Sequence, residues 1–232
     1  MTTDNKLMNP TSTNPIATLA SMLLLTLACN FCGRAEAKER FEFRDGDRIV
    51  LIGDGLIEQE QYSGWIEVML TSSMPDLNMT FRNLGWNADT PAGDSRFGLS
   101  LLQAGNEPAD EGWKQLQKQI ELTRPTVVIL GYAMAAALES AGQQSDFDRT
   151  TSMIKFAEDY QRLIETIRRI SPDCRFVYLS PISAVGPSLL DEQWVRSYSG
   201  LIKQVTEKHP GRFVDLTQVA LDAAARKDPI HL

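Results

Sequence analysis

Three short runs of apolar, largely β-branched residues constrain what this chain can fold into. They are Ile49 to Gly53 (IVLIG), Thr126 to Leu130 (TVVIL) and Arg175 to Leu179 (RFVYL). Each is continuous rather than alternating, which is the pattern of a strand buried on both faces. Pro125 leads into the second run and Pro181 closes the third, so each is punctuated by a residue that cannot extend it. Between the runs, apolar residues recur at helical spacing. Helices are expected over residues 57–74 (Trp65, Ile66, Met69 and Leu70 inward), 113–122 (Leu116 and Ile120) and 147–170 (Ile154, Ala157, Leu163, Ile164 and Ile167). Two more are expected over 191–208 and 216–226, and two further strands over 78–84 and 212–214. Strands alternating with helices, with no internal repeat, imply an α/β fold: a three-layer α/β/α sandwich around a central five-stranded parallel sheet.

The amino terminus reads differently. Residues 16–29 (IATLASMLLLTLAC) are almost wholly apolar, and Ala35-Glu36-Ala37 follows with the small-x-small pattern of a signal peptidase site. The expectation is a secretory signal peptide over 1–37, cleaved after Ala37, then a charged linker over 38–47 and one domain over 48–232. A secreted or periplasmic location follows. An uncleaved anchor would be short, since a span needs about 20 apolar residues. Lipidation at Cys29 is the weaker reading, because Thr26 stands where a lipobox usually has leucine. Cleavage would remove Cys29 and Cys32, leaving Cys174 as a small buried hydrophobe with no disulfide partner.

Charge and ligand residues exclude several classes. The formal net charge is −7, which argues against a nucleic-acid partner. Three cysteines and two histidines are too few for an ordinary Cys/His metal site, so neither metal nor cofactor is expected. Imidazole chemistry is limited to His209 and His231. His209 precedes Pro210-Gly211 at a helix end and reads as a complement to the helix dipole.

In open parallel sheets the site lies outside the carboxyl ends of the strands. The segments there are Gly53-Asp54-Gly55-Leu56, Asn83-Leu84-Gly85-Trp86-Asn87, Gly131-Tyr132-Ala133-Met134-Ala135 and Ser180-Pro181. With Asp228-Pro229-Ile230-His231 near the end of the chain, they resemble, in order and register, the motifs of the SGNH (GDSL) hydrolases. The resemblance spans residues 46–232 and implies a flavodoxin-like sheet with ester-hydrolase chemistry. It makes position 55 the nucleophile site, Gly85 a backbone oxyanion donor, and Asp228 with His231 the rest of a triad. Asp54 would brace the turn that carries position 55. The family continues past its histidine into a closing helix, whereas this sequence stops at Leu232, so the expectation is either a fragment or a domain without the segment that anchors the histidine.

Two departures outweigh the matches. Gly55 stands where the nucleophilic serine belongs, and neither Ala133 nor Ala135 can supply the family's asparagine amide. Glycine would also suit a strained nucleophile turn, so the loop shape is expected to survive. Loss of a triad nucleophile lowers turnover by about 10⁶, and loss of one oxyanion donor by about 10²–10³. Gly93-Asp94-Ser95 spells the family triplet but follows no strand, and reads as a decoy; Ser180 and Ser183 read as turn residues. Trp86 is divided between core packing and stacking on a sugar ring at the cleft, while Trp65, Trp194 and most methionines read as core. The expected function is an ester-hydrolase homologue of the carbohydrate or lipid acyl class, catalytically impaired. The alternative is a non-catalytic extracytoplasmic protein that keeps the cleft for a sugar or acyl ligand. Neither substrate nor oligomeric state is legible.

Overall fold

The computed structural model describes residues 41–96, 110–143, 145–182 and 192–226. Residues from Phe41 onward form one compact unit. Its strands are β1 (Arg48–Gly53), β2 (Thr80–Asn83), β3 (Val127–Gly131), β4 (Arg175–Leu179) and β5 (Arg212–Val214). Its helices are α1 (Gly55–Ser63), α2 (Trp65–Ser73), α3 (Glu111–Thr123), α4 (Met134–Gly142), α5 (Asp146–Ile170), α6 (Glu192–Thr206) and α7 (Leu216–Ala225). The strands form a single parallel sheet in the order β2-β1-β3-β4-β5. The chain steps outward from β1 to β2, then returns to β3 on the other side. The strand order reverses between β1 and β3, and the crevice there is where such sheets bind ligands.

Side-chain alternation along the strands builds two cores. Ile49, Leu51, Val127, Ile129, Val177 and Leu179 face one way and meet Ile57 of α1, with Ile66 and Leu70 of α2 and Leu216 of α7 packed against them. Val50, Ile52, Val128, Leu130, Phe176 and Tyr178 face the other way and meet α3, α4, α5 and α6. These are the three layers expected from the continuous apolar runs. The expected linker 38–47 is partly built into the domain: Phe41 and Phe43 pack against the first core, and buried Asp47 pairs with Arg175.

The longest helix is specified at both ends. Ser145 caps α5, its Oγ accepting the Asp148 N–H at 3.1 Å, with Asp146 and Asp148 in the first turn and Arg168 and Arg169 in the last. Each charge complements the helix dipole at its own end. Its inner face is Phe156, Tyr160, Leu163, Ile164 and Ile167, while Ile154, expected there, is exposed.

Several expectations are corrected. Residues 57–74 are two helices, because Gly64 adopts φ +62° and its N–H closes α1 by donating to the Glu60 carbonyl. The break redirects the chain, so Trp65 is 64 % exposed and Met69 is exposed too. Trp194 is half-buried against the second core, as expected. Helix α4 was not anticipated, although its sequence (MAAALESAG) is rich in alanine, the best helix former. His209 lies beside Arg168 and is partly desolvated, and both effects lower its pKa. Both oppose its reading as a cationic complement to the end of α6. Cys174 is the buried thiol expected, its pKa pushed up to about 12 by desolvation.

Candidate active site

The carboxyl ends of β1 and β3 lie side by side, Gly53 in register with Gly131. The chain leaves β1 through Asp54 directly into α1. The Asp54 N–H donates to the Gly131 carbonyl at 3.1 Å, and the Asp54 carbonyl accepts the Glu58 N–H at 2.9 Å, the first bond of α1. Its side chain reaches α4, where Oδ2 accepts the Ala135 N–H at 3.1 Å. Asp54 thus ties together the amino ends of two helices. It is 1 % exposed, and Oδ1 has no hydrogen-bond partner among the described residues. Desolvation raises its pKa from 3.8 to about 6, against the opposing pull of the Ala135, Met134, Leu56 and Ala133 N–H groups.

Gly55 is the first residue of α1 and does not need to be glycine. Its φ is outside the left-handed region, and among the described residues a Cβ built on it meets only Asn87 Oδ1, at 3.3 Å. The expectation that glycine serves a strained turn here is corrected: the backbone at Gly55 is not left-handed, and a Cβ would need only the exposed Asn87 side chain to give by a few tenths of an ångström. Ala133 carries strain instead, with φ +95°, and its methyl is buried in the second core. Left-handed conformations disfavour most residues but suit asparagine.

Gly85 is glycine for a different reason. A Cβ there would stand 2.4 Å from the Glu58 nitrogen and 2.5 Å from the Ile57 carbonyl carbon, inside the backbone of α1. Its N–H donates to Asn83 Oδ1 at 2.7 Å, while Asn83 Nδ2 donates to the Ile57 carbonyl at 2.7 Å. An oxyanion at this N–H would have to displace the Asn83 oxygen. Asn83 is therefore a site-building residue that strand patterning alone could not single out.

A buried polar cluster fixes the loop after β2. Arg96 Nε meets Asp89 Oδ2 at 2.7 Å, Nη1 donates to Gln119 Oε1 at 2.7 Å, and Nη2 donates to the Leu84 carbonyl at 2.7 Å. Tyr132, just past β3, donates its hydroxyl to Asp89 Oδ2 at 3.2 Å. Burial raises the Asp89 pKa, opposed by Arg96. Ser95 of the decoy triplet donates its hydroxyl to the Ala88 carbonyl at 2.8 Å and is a loop residue. Ser180 is buried, donating to the Pro181 carbonyl at 2.9 Å and accepting the Thr217 N–H at 3.2 Å. It joins the end of β4 to α7, as a turn residue should. Trp86 is 46 % exposed, so the core reading gives way to a position at the surface beside Gly85.

Asp228 and His231 lie outside the described residues, as do Ser183 and the whole of 1–37. Among the described residues no group of three Asp, Glu, His or Cys side chains is arranged to hold a metal, and no helix is long and apolar enough to cross a membrane. A concavity of about 570 Å³ lies at the opposite edge of the sheet. It is lined by strand beginnings, where Arg175 pairs with Asp47 and Arg48 Nε donates to the Arg124 carbonyl. Position in the topology outweighs its size, because ligands of such sheets bind at the carboxyl ends.

No protein-family model and no curated protein matches the sequence. Solved structures do match the fold. A catalytic mutant of an acetylxylan esterase from Geobacillus stearothermophilus superposes with TM-score 0.54 at 13 % identity, over 82 % of this chain and 84 % of the other. The acetyl xylan esterase AlAXEase gives 0.51 at 15 % identity, over 77 % and 82 %. A psychrotrophic esterase from Pseudoalteromonas sp., inhibited by monoethylphosphonate, gives 0.52 at 15 % identity, over 80 % and 85 %. The chain has the three-layer fold of the SGNH-type esterases.

Proposed function

We propose that the chain is an SGNH-type ester-hydrolase homologue with an impaired serine mechanism, exported by a signal peptide cleaved near Ala37. Its cleft is built for the acyl-ester group of a carbohydrate or lipid. One observation carries the reading. At the carboxyl end of β1, the first residue of α1 is a glycine with no conformational need to lack a side chain, and among the described residues only the exposed Asn87 side chain crowds its Cβ position. The serine is missing from a site whose surroundings still brace it, through Asp54, Asn83 and Gly85. His231, oriented by Asp228, is the remaining candidate general base. Without an oxygen nucleophile at 55, efficient acyl-enzyme chemistry is lost, by about 10⁶ where a serine triad depends on it. The same observation favours a second reading, a cleft kept for binding an acyl or sugar ligand without turnover.

Gly55→Ser tests the first reading. Hydrolysis of p-nitrophenyl acetate should rise by at least about 10²-fold over the native chain, a conservative fraction of what a triad nucleophile contributes. The gain should disappear when His231→Ala is added. No rise in a folded Gly55→Ser protein would overturn the proposal that the rest of the machinery persists.

A further inference from the structure

Asn87 is the residue that stands over Gly55. Its Oδ1 lies 3.3 Å from the position a Cβ would take on Gly55, and among the described residues no other heavy atom beyond the chain neighbours and the backbone of α1 comes within 4 Å of that point. Asn87 is exposed, and its carboxamide has no hydrogen-bond partner among the described residues. A half-turn of the last torsion exchanges Oδ1 with Nδ2, so the side chain can present a donor to whatever rests on Gly55.

The backbone holds this side chain in place from both ends. The Trp86 N–H donates to the Gly53 carbonyl at 3.0 Å, and the Asp89 N–H donates to the Trp86 carbonyl at 3.1 Å. Residues 86–89 thus form a β-turn with Asn87 and Ala88 at its centre. Ala88 has φ +57°, the left-handed conformation that favours glycine or asparagine at the third position of a type II turn. An alanine there is strained, and the strain persists because both ends are pinned, the far one by the buried Asp89–Arg96 pair. The turn is built to present residue 87 at one place.

An ester carbonyl oxygen is only an acceptor, so a cleft that receives one needs a donor. Gly55 offers only its backbone N–H, Ala133 and Ala135 have no amide, and the Gly85 N–H is committed to Asn83, so a side-chain donor beside Gly55 has to come from elsewhere. We propose that the Asn87 carboxamide is the ligand-contacting donor of this cleft, binding the carbonyl oxygen of an ester above Gly55. The inference rests on the acyl-ester reading of the site, and the following experiment separates the two.

The native chain, labelled with ¹⁵N, is titrated with triacetin. The Asn87 side-chain amide pair is assigned by its loss in Asn87→Ala. The expected result is that the Asn87 Nδ2–H pair and the Gly55 backbone amide shift together. Affinity should fall about tenfold in both Asn87→Ala and Asn87→Asp, with unchanged thermal midpoints. Asn87→Asp keeps the shape and removes the donor, so retained affinity in that variant would overturn the donor role. Movement of Gly55 without Asn87, with full affinity in Asn87→Ala, would overturn the inference and leave the acyl-ester reading standing. If neither resonance moves, both fail.

Discussion

Three glycines around α1 have three different justifications. Gly64 needs its left-handed φ, Gly85 needs the absence of a Cβ, and Gly55 needs neither. Gly85→Ala would drive a methyl into the backbone of α1, where no flexible side chain can yield. Urea unfolding should show a loss of about 3 kcal/mol or more, the upper end of overpacking, or failure to fold. Gly55→Ala, by contrast, should be neutral or stabilising by up to about 1 kcal/mol, since alanine is the better helix former. Equal destabilisation by the two changes would contradict the contrast drawn here. The motif pattern made both positions visible as glycines. It could not say which is sterically obligatory, because that depends on how closely β2 approaches α1.

At the scale of elements, the loop after β2 has most influence on the site. It carries Asn87 and is held by a buried ion pair, Asp89 with Arg96, that also engages Leu84, Gln119 and Tyr132. Arg96→Met leaves the Asp89 carboxylate buried without its cation. Breaking such a pair from one side costs about 3–5 kcal/mol. The expected outcome is a loss of that order in denaturant unfolding, larger than the loss for Lys114→Met, whose partner Asp110 is exposed like itself. Little of this was legible beforehand. Asp89 and Arg96 lie seven residues apart in a stretch rich in turn residues, with no periodicity to mark either as inward. The helices show the same limit from another side. Trp65, Ile66, Met69 and Leu70 have correct spacing for one buried stripe, yet Gly64 turns α2 so that Trp65 and Met69 face outward.

For the whole molecule, Asp54 couples the site to global stability. Burial holds its carboxyl at about 6 in the folded chain against 3.8 in the ordinary state. Below pH 3.8 both folded and unfolded forms are protonated, and the group is neutral to stability. Between about pH 4 and 6 the unfolded chain ionises and the folded chain resists. Stability therefore falls as pH rises through that window and stays lower above it, by on the order of 3 kcal/mol. Asp54→Asn keeps an acceptor for the Ala135 N–H and removes the titration. Its stability relative to the native chain, measured by urea unfolding at pH 4 and pH 7, should improve by about that amount at the higher pH. A difference independent of pH would show that Asp54 does not titrate in this range.

The sequence by itself determined the architecture. Three short apolar runs set off by Gly and Pro fit strands covered on both faces, and helices of the intervening lengths return them parallel, so the layered parallel sheet followed from patterning. It also determined that position 55 has no hydroxyl and positions 133 and 135 no amide, because these are facts of composition at places the motif register identifies. What only the tertiary structure decided is how those vacancies are surrounded. The fit of Gly85 against α1, the commitment of its N–H to Asn83, the buried Asp89–Arg96 pair and the approach of Asn87 to Gly55 all join residues that are remote in sequence or set by loop conformation. Such contacts arise from packing at the crevice between β1, β2 and β3, and have no period along the chain from which to be read.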